Sequence, residues 1–240
     1  MVVYFMELSG KRILVVGGNG AFGAEFGAQL KTAGASVIGT ARSQDSSVRL
    51  ATDLDERLLL DLENDESITR LTNYLTSSPM PLDGIVLAAG LVAFGSIGET
   101  PFHVVERLTR VNATAQIQLV SALLSKLQDS ASLGRQPFVL SISGVISERP
   151  MPSLAAYSAS KTAIRGYAQA AVKELKKSGI TWLDARPGHT ESGLASRSIF
   201  GQSPNFGLGL SVSSVVARMV QGLVDEEADL ASEAFAALGK

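Results

Sequence analysis

Tyr157 and Lys161, in the run Tyr157-Ser158-Ala159-Ser160-Lys161, stand four residues apart, which sets both side chains on one face of a helix. A phenol with an ordinary pKa of about 10 is a poor base at neutral pH. An ammonium beside it favours the phenolate, so the pair reads as an acid/base tyrosine with a supporting lysine. A second candidate is the run Gly17-Gly18-Asn19-Gly20-Ala21-Phe22-Gly23. Between a strand and a helix, such a turn lets backbone N–H groups approach a pyrophosphate at the positive end of the helix. A third lies at Thr40-Ala41-Arg42-Ser43. An acid there would bind the ribose hydroxyls of NAD, but no carboxylate occurs until Asp45, and Arg42 can set a planar cation against a 2′-phosphate. NADP(H) is therefore the expected cofactor, and NAD(H) stays open.

These groups need a scaffold, and the apolar pattern supplies one. Ile13 to Val16, Ser36 to Thr40, Leu58 to Leu60, Ile85 to Ala88, Phe138 to Leu140 and Thr181 to Leu183 are short apolar or β-branched runs. Helix-length segments separate them, including Ala21 to Ala33 and the Ala-rich Ala155 to Lys176. Runs that are apolar throughout, rather than alternating, belong to strands covered on both faces. The expectation is a Rossmann-type doubly wound α/β fold, a parallel sheet with helices on both faces, in one domain over 7–240. Residues 1–6 read as an N-terminal extension, since Val2 to Met6 is too short to span a bilayer and lacks the pattern of a signal peptide. The Gly/Ser-rich stretch at 192–214 reads as a substrate loop and lid.

Composition narrows the function. The chain has 240 residues, 45% of them hydrophobic and 18% charged, with a net charge of −2, which weighs against disorder. Its scattered Lys and Arg give no footprint for nucleic acid or for an anionic membrane. Cysteine is absent, so disulfides, thiolate metal sites and cysteine nucleophiles are excluded, and a reducing cytoplasm fits. The two histidines, His103 and His189, have no paired ligand spacing for zinc or iron. Ser141-Ile142-Ser143-Gly144-Val145 lacks the glycine that precedes the serine of a hydrolase nucleophile elbow. His189, beside Pro187-Gly188, reads as an exposed loop residue, with a place facing the substrate as the alternative.

In chain order the sequence resembles the short-chain dehydrogenase/reductase family. The landmarks are Gly17 to Gly23, Asp61, Ala88-Ala89-Gly90, Asn112 within Val111-Asn112-Ala113, Ser143, Tyr157 with Lys161, and Pro187-Gly188. The resemblance implies that Tyr157 moves the substrate proton, that Lys161 holds the nicotinamide ribose, and that Asn112 anchors a water relay toward Lys161. Ser143 would hydrogen-bond the reacting oxygen. Asp61 with Leu62 would contact adenine, and Ala88, Ala89 and Gly90 would flank the cofactor. Gly17, Asn19, Gly20, Ala21, Phe22 and Gly23 would cradle its pyrophosphate, and Thr190 and Ser192 would hold the carboxamide and phosphate region. It also implies a small carbonyl or alcohol substrate and a homodimer or homotetramer, packed partly through Ala159, Ala163, Ala170 and Ala171.

Three departures from the family pattern carry expectations of their own. Val16 replaces the usual Thr and Leu87-Ala88 the usual Asn-Asn, two losses of polarity that are expected to compensate by packing. The chain ends without the family's glycine-rich closing strand, for which Ala228 to Phe235 is a short substitute. The family's serine stands thirteen positions before the tyrosine, which here is Gly144, one residue after Ser143. An extra residue in the loop 145–156 would keep Ser143 in place, and that is the expectation adopted. Without it, strand alternation aims Ser143 away. The alternative to an enzyme is a catalytically weak NADP-binding regulator on the same fold.

Overall fold

The computed structural model describes residues 6–238. Seven parallel strands form one sheet in the order β3-β2-β1-β4-β5-β6-β7. They are β1 Arg12–Val16, β2 Ser36–Ala41, β3 Glu56–Leu59, β4 Gly84–Leu87, β5 Phe138–Ile142, β6 Thr181–Ala185 and β7 Asp229–Leu230. The helices are α1 Ala21–Thr32, the short α2 Gln44–Ser47, α3 Asp65–Ser77, α4 Phe102–Thr109, α5 Ala115–Ser132, α6 Ala155–Leu175 and α7 Val212–Val224. The order of winding reverses between β1 and β4, which opens a crevice at the carboxyl ends of these strands, where ligands bind in folds of this kind.

The continuously apolar inner strands arise because each feeds two cores, whereas the edge strand β3 alternates and leaves Leu59 46% exposed, against the expectation for Leu58 to Leu60. Leu14 and Val16 of β1 join one cluster with Leu71 of α3, Leu119 of α5 and Ile164 of α6. Ile13 and Val15 join the other, with Phe26 of α1 and Met219 of α7. Val16 and Leu87 are register partners across β1 and β4, each 1% exposed in the same cluster, so the two apolar replacements do pack together. A hydroxyl still reaches the turn from the neighbouring strand: the Gly17 amide donates to Thr40 Oγ1 at 3.0 Å.

Three boundaries differ from the sequence expectation. Residues 1–5 of the expected extension lie outside the described residues, whereas Met6 belongs to the domain. Its side chain is 2% exposed in the second core, and its amide donates to the Val224 carbonyl at 2.8 Å. The closing strand is the two-residue β7, inside the segment 228–235. The loop at 192–214 is less loose than its composition reads. A bridge between Thr190 and Leu210 ties its base, the Ile199 amide donates to Val92 and the Phe94 amide to Phe200, and 212–214 already belong to α7. No helix among the described residues is long and apolar enough to cross a membrane.

Candidate active site

A cavity of about 740 Å³ occupies the crevice. One end is built by the glycine turn. Gly20 caps α1 without a side-chain hydrogen bond, and the first turn of the helix carries no acidic residue; Gly20, Ala21 and Phe22 line the cavity. Gly23 is not part of that wall. A Cβ there would lie 2.1 Å from the Gly17 carbonyl oxygen, and this close approach of helix to turn is what requires glycine. Gly17, Asn19, Asp61, Leu62, Ala88, Ala89 and Gly90 complete this half of the lining.

At its far corner the wall carries cations. Arg42 follows β2, its side chain 63% exposed and 3.9 Å from Glu63. Glu63 is already taken by Arg107, which grips it through Nε at 2.7 Å and Nη2 at 2.8 Å. These guanidinium contacts hold the Glu63 carboxyl below its ordinary pKa. Arg49 also lines the cavity. It is brought round by α2, whose first turn is locked by reciprocal hydrogen bonds between Ser43 and Ser46. Arg49 and Ser46 are not among the residues expected from the sequence, because only the turn of α2 brings them to the cavity.

At the opposite end α6 presents Tyr157 and Lys161 to the cavity. Lys161 is 6% exposed, and Nζ donates to the Ile142 carbonyl at 2.7 Å. Burial lowers its pKa to about 8, an effect that the negative charge of Asp184 opposes. Tyr157 behaves otherwise than the sequence implied: burial raises its phenol to about 12. Desolvation disfavours the phenolate, so Tyr157 is a neutral hydroxyl near pH 7.

Asn112 sits in a π-helical turn, Arg110–Thr114, between α4 and α5, and its side chain is fully engaged away from the cavity. Oδ1 accepts the Leu91 amide at 2.8 Å, and Nδ2 donates to the Leu91 carbonyl and to Ser160 Oγ, each at 2.9 Å. Its visible work is to fix the chain beside Gly90, where a Cβ would fall 3.6 Å from Lys161 Nζ. Pro187, Gly188, Thr190 and Ser192 line the cavity, and so does His189, against the expectation of a merely exposed loop histidine. The His189 ring packs on Phe206 at 5.0 Å, and Nε2 lies 3.6 Å from Glu191.

Ser143 departs from its expected place. It is fully buried, outside the cavity lining, and its hydroxyl donates to Asp184 Oδ2 at 2.6 Å. Gly144 faces the cavity instead. The strand is not corrected by an extra loop residue, so the one-position offset turns the serine to the other side. Gly144 has φ +72° and ψ 161°, a region essentially restricted to glycine, so the backbone itself disfavours a serine at the position that faces the site.

A family model described as short chain dehydrogenase matches residues 11–200. The chain belongs to the short-chain dehydrogenase family. It is 28% identical over 199 residues to a short chain dehydrogenase of Pseudocercospora fijiensis, with 78% of this chain and 62% of that protein covered. It is 28% identical over 181 residues to a cyclic-di-GMP-binding biofilm dispersal mediator protein of Escherichia coli, covering 75% and 73%. The chain thus spans less than two thirds of the Pseudocercospora relative. Among solved structures, a short-chain dehydrogenase from Sphingobium yanoikuyae in complex with NADPH superposes with a TM-score of 0.83 at 21% identity, covering 92% of this chain and 87% of that one. A 3-ketoacyl-(acyl-carrier-protein) reductase from Brucella melitensis complexed with NADH gives 0.84 at 19% identity, covering 94% and 97%.

Within this short-chain dehydrogenase the Ser143 geometry has a measurable consequence. Ser143→Ala is expected to leave turnover within about threefold of the parent, because the hydroxyl is not aimed at the cavity. A loss of about 10²-fold, the size expected for a donor to developing charge, would return Ser143 to the reacting centre.

Proposed function

We propose that this chain is an NADP(H)-dependent oxidoreductase that moves hydride between the cofactor and a carbonyl or alcohol substrate. The observation that carries the reading is one cavity with Arg42 and Arg49 at one end, the uncapped start of α1 between, and Tyr157 beside Lys161 at the other. The residues fit a dinucleotide: Gly23 leaves room for the turn to close on the helix, and the backbone of Gly20, Ala21 and Phe22 suits a pyrophosphate. Arg42 and Arg49 would hold a 2′-phosphate, Asp61 and Leu62 the adenine, and Thr190 and Ser192 the carboxamide region. When bound, the cofactor supplies or accepts the hydride.

The chain's own part is the proton and the charge. Tyr157 Oη gives a proton to the carbonyl oxygen during reduction and takes it back during oxidation. Lys161 would hold the nicotinamide ribose hydroxyls and present its positive charge to any phenolate that forms. Asn112 keeps Leu91, and with it the chain beside Gly90, in place against Lys161. Beyond Tyr157 the wall is apolar, with Val92, Phe94, Ile146 and Leu154 in one cluster and Leu194 and Phe206 against it. A substrate with an apolar body suits this wall.

Cofactor choice is tested by fluorescence titration. NADPH is expected to bind at least tenfold more tightly than NADH, and Arg42→Ala to weaken NADPH about tenfold while leaving NADH unchanged, as for a lost charge-assisted contact. Equal affinity for the two nicotinamides overturns the NADP assignment. Gly144, which offers no hydroxyl to the cavity, favours a second reading, a catalytically weak NADP-binding regulator. Tight NADPH binding without oxidation across a panel of apolar ketones and aldehydes would select it. Self-association as a homodimer or homotetramer is part of the proposal. Ala159, Ala163 and Ala170 of α6 are exposed for it, while Ala171 packs inward.

A further inference from the structure

Behind the end of β5 lies a cluster of charges that the proposed chemistry leaves unused. Asp184 on β6 is 3% exposed, and its carboxylate accepts from two serines of β5 and the residue just after it: Ser141 Oγ to Oδ1 and Ser143 Oγ to Oδ2, each at 2.6 Å. Trp182 Nε1 donates to Ser141 Oγ at 2.9 Å. Arg186, 2% exposed, donates to Asp184 Oδ2 at 3.0 Å, to both oxygens of Asp229 at 2.7 and 2.6 Å, and to Glu148. On α6, one turn beyond Lys161, Arg165 donates to the Ser147 carbonyl at 2.9 Å and acts on the charge of Asp229.

The residue between the two clipped serines is Ile142, and its carbonyl receives Lys161 Nζ. A carboxylate that holds the neighbours on both sides fixes the direction of that carbonyl. Charge adds a second link. Asp184, Glu148 and Asp229 are three carboxylates, and Arg186, Arg165 and Lys161 are the three cations around them. Of these carboxylates only the buried Asp184 acts on Lys161, its negative charge opposing the desolvation of the ammonium, while Asp229, with its side chain 59% exposed, is screened by solvent. We propose that Asp184 is a positioning residue for Lys161: through Ser141 and Ser143 it sets the Ile142 carbonyl on which the ammonium rests, and its charge keeps that ammonium protonated. The proposal rests on the catalytic reading of Lys161. It also accounts for Ser143, which serves the lysine from behind the strand instead of the substrate from in front.

The groups facing Lys161 are Tyr157 on its own helix and Asp184 on β6, with Arg186, Glu148 and Asp229 behind the latter. Burial lowers the lysine to about 8 against the pull of Asp184. Asp184→Asn keeps the shape of the clip and removes the charge. In isotope-labelled lysine NMR of the cofactor-free protein, with Lys161 assigned through Lys161→Arg, its titration is expected to move down by about one pH unit. The basic limb of kcat/KM for NADPH should move down with it. An unchanged or raised lysine titration in a variant with parental cooperative unfolding overturns the proposal. The NMR readout needs no turnover, so a parent without activity would defeat the catalytic reading and leave this test standing. If Asp184→Asn does not fold, the double variant Ser141→Ala/Ser143→Ala removes the clip and spares the charge. It is then expected to weaken NADPH binding about fivefold, and an unchanged Kd overturns the proposal.

Discussion

Tyr157→Phe is expected to lower kcat by about 10³-fold, while the Kd for NADPH stays within about twofold of the parent, the pattern of a lost general acid. The substitution removes one oxygen and keeps the ring, so the packing of Tyr157 against Val92, Phe94, Ile146 and Leu154 survives. The effect is large because Gly144 offers no hydroxyl at the neighbouring face of the cavity, which leaves the reacting oxygen with the tyrosine as its proton donor. Burial holds that phenol at about 12, so the donor is intact throughout the neutral range. Stopped-flow NADPH oxidation together with fluorescence titration measures both quantities. Normal turnover in the variant would refute the assignment of Tyr157.

Lys161→Ala is expected to damage binding and chemistry together, lowering kcat/KM for NADPH by about 10³-fold, with the loss divided between a weaker Kd and a slower kcat. In the parent, kcat/KM reports ionisations of the free enzyme, and Lys161 titrates at about 8. The charged form is the working form for carbonyl reduction. kcat/KM should therefore be level below pH about 8 and fall roughly tenfold for each unit above it. In Lys161→Ala that limb should vanish. A limb that persists in the variant would assign the ionisation to another group. Stability carries the opposite sign. Between about 8 and the unfolded lysine value the unfolded chain binds the extra proton, so the cofactor-free fold gains stability from this group as pH rises through that window.

Much of this architecture was legible because it is written in local signals. The glycine turn after Val16 and the apolar runs that became β1, β2, β4, β5 and β6 follow from strand burial and helix-start geometry, which depend on neighbours in sequence. Even the paired loss of polarity at Val16 and Leu87 was readable, since the order of a doubly wound sheet sets these strand ends side by side. Other features depend on contacts that sequence spacing does not carry. The direction of Ser143 turns on a one-residue register that only the strand settles, and on a carboxylate forty-one residues away. Arg49 comes to the cavity that Arg42 lines after the turn of a single short helix. The tyrosine pKa is not legible in the sequence, which shows the lysine beside it and does not show the desolvation of the phenol. Met6 looked like the end of a stray apolar tail, yet the carbonyl of Val224 receives its amide.

Hydride transfer to carbon, with Tyr157 as the proton donor, is open to an isotope-transfer test. NADPH carrying deuterium at the reactive nicotinamide carbon is incubated with the parent protein and an apolar ketone, and the alcohol product is analysed by mass spectrometry. One deuterium is expected on the former carbonyl carbon with the parent, and product reduced about 10³-fold with Tyr157→Phe. NADPH bound tightly by the parent, with no deuterium delivered to any carbonyl in the panel, would contradict it.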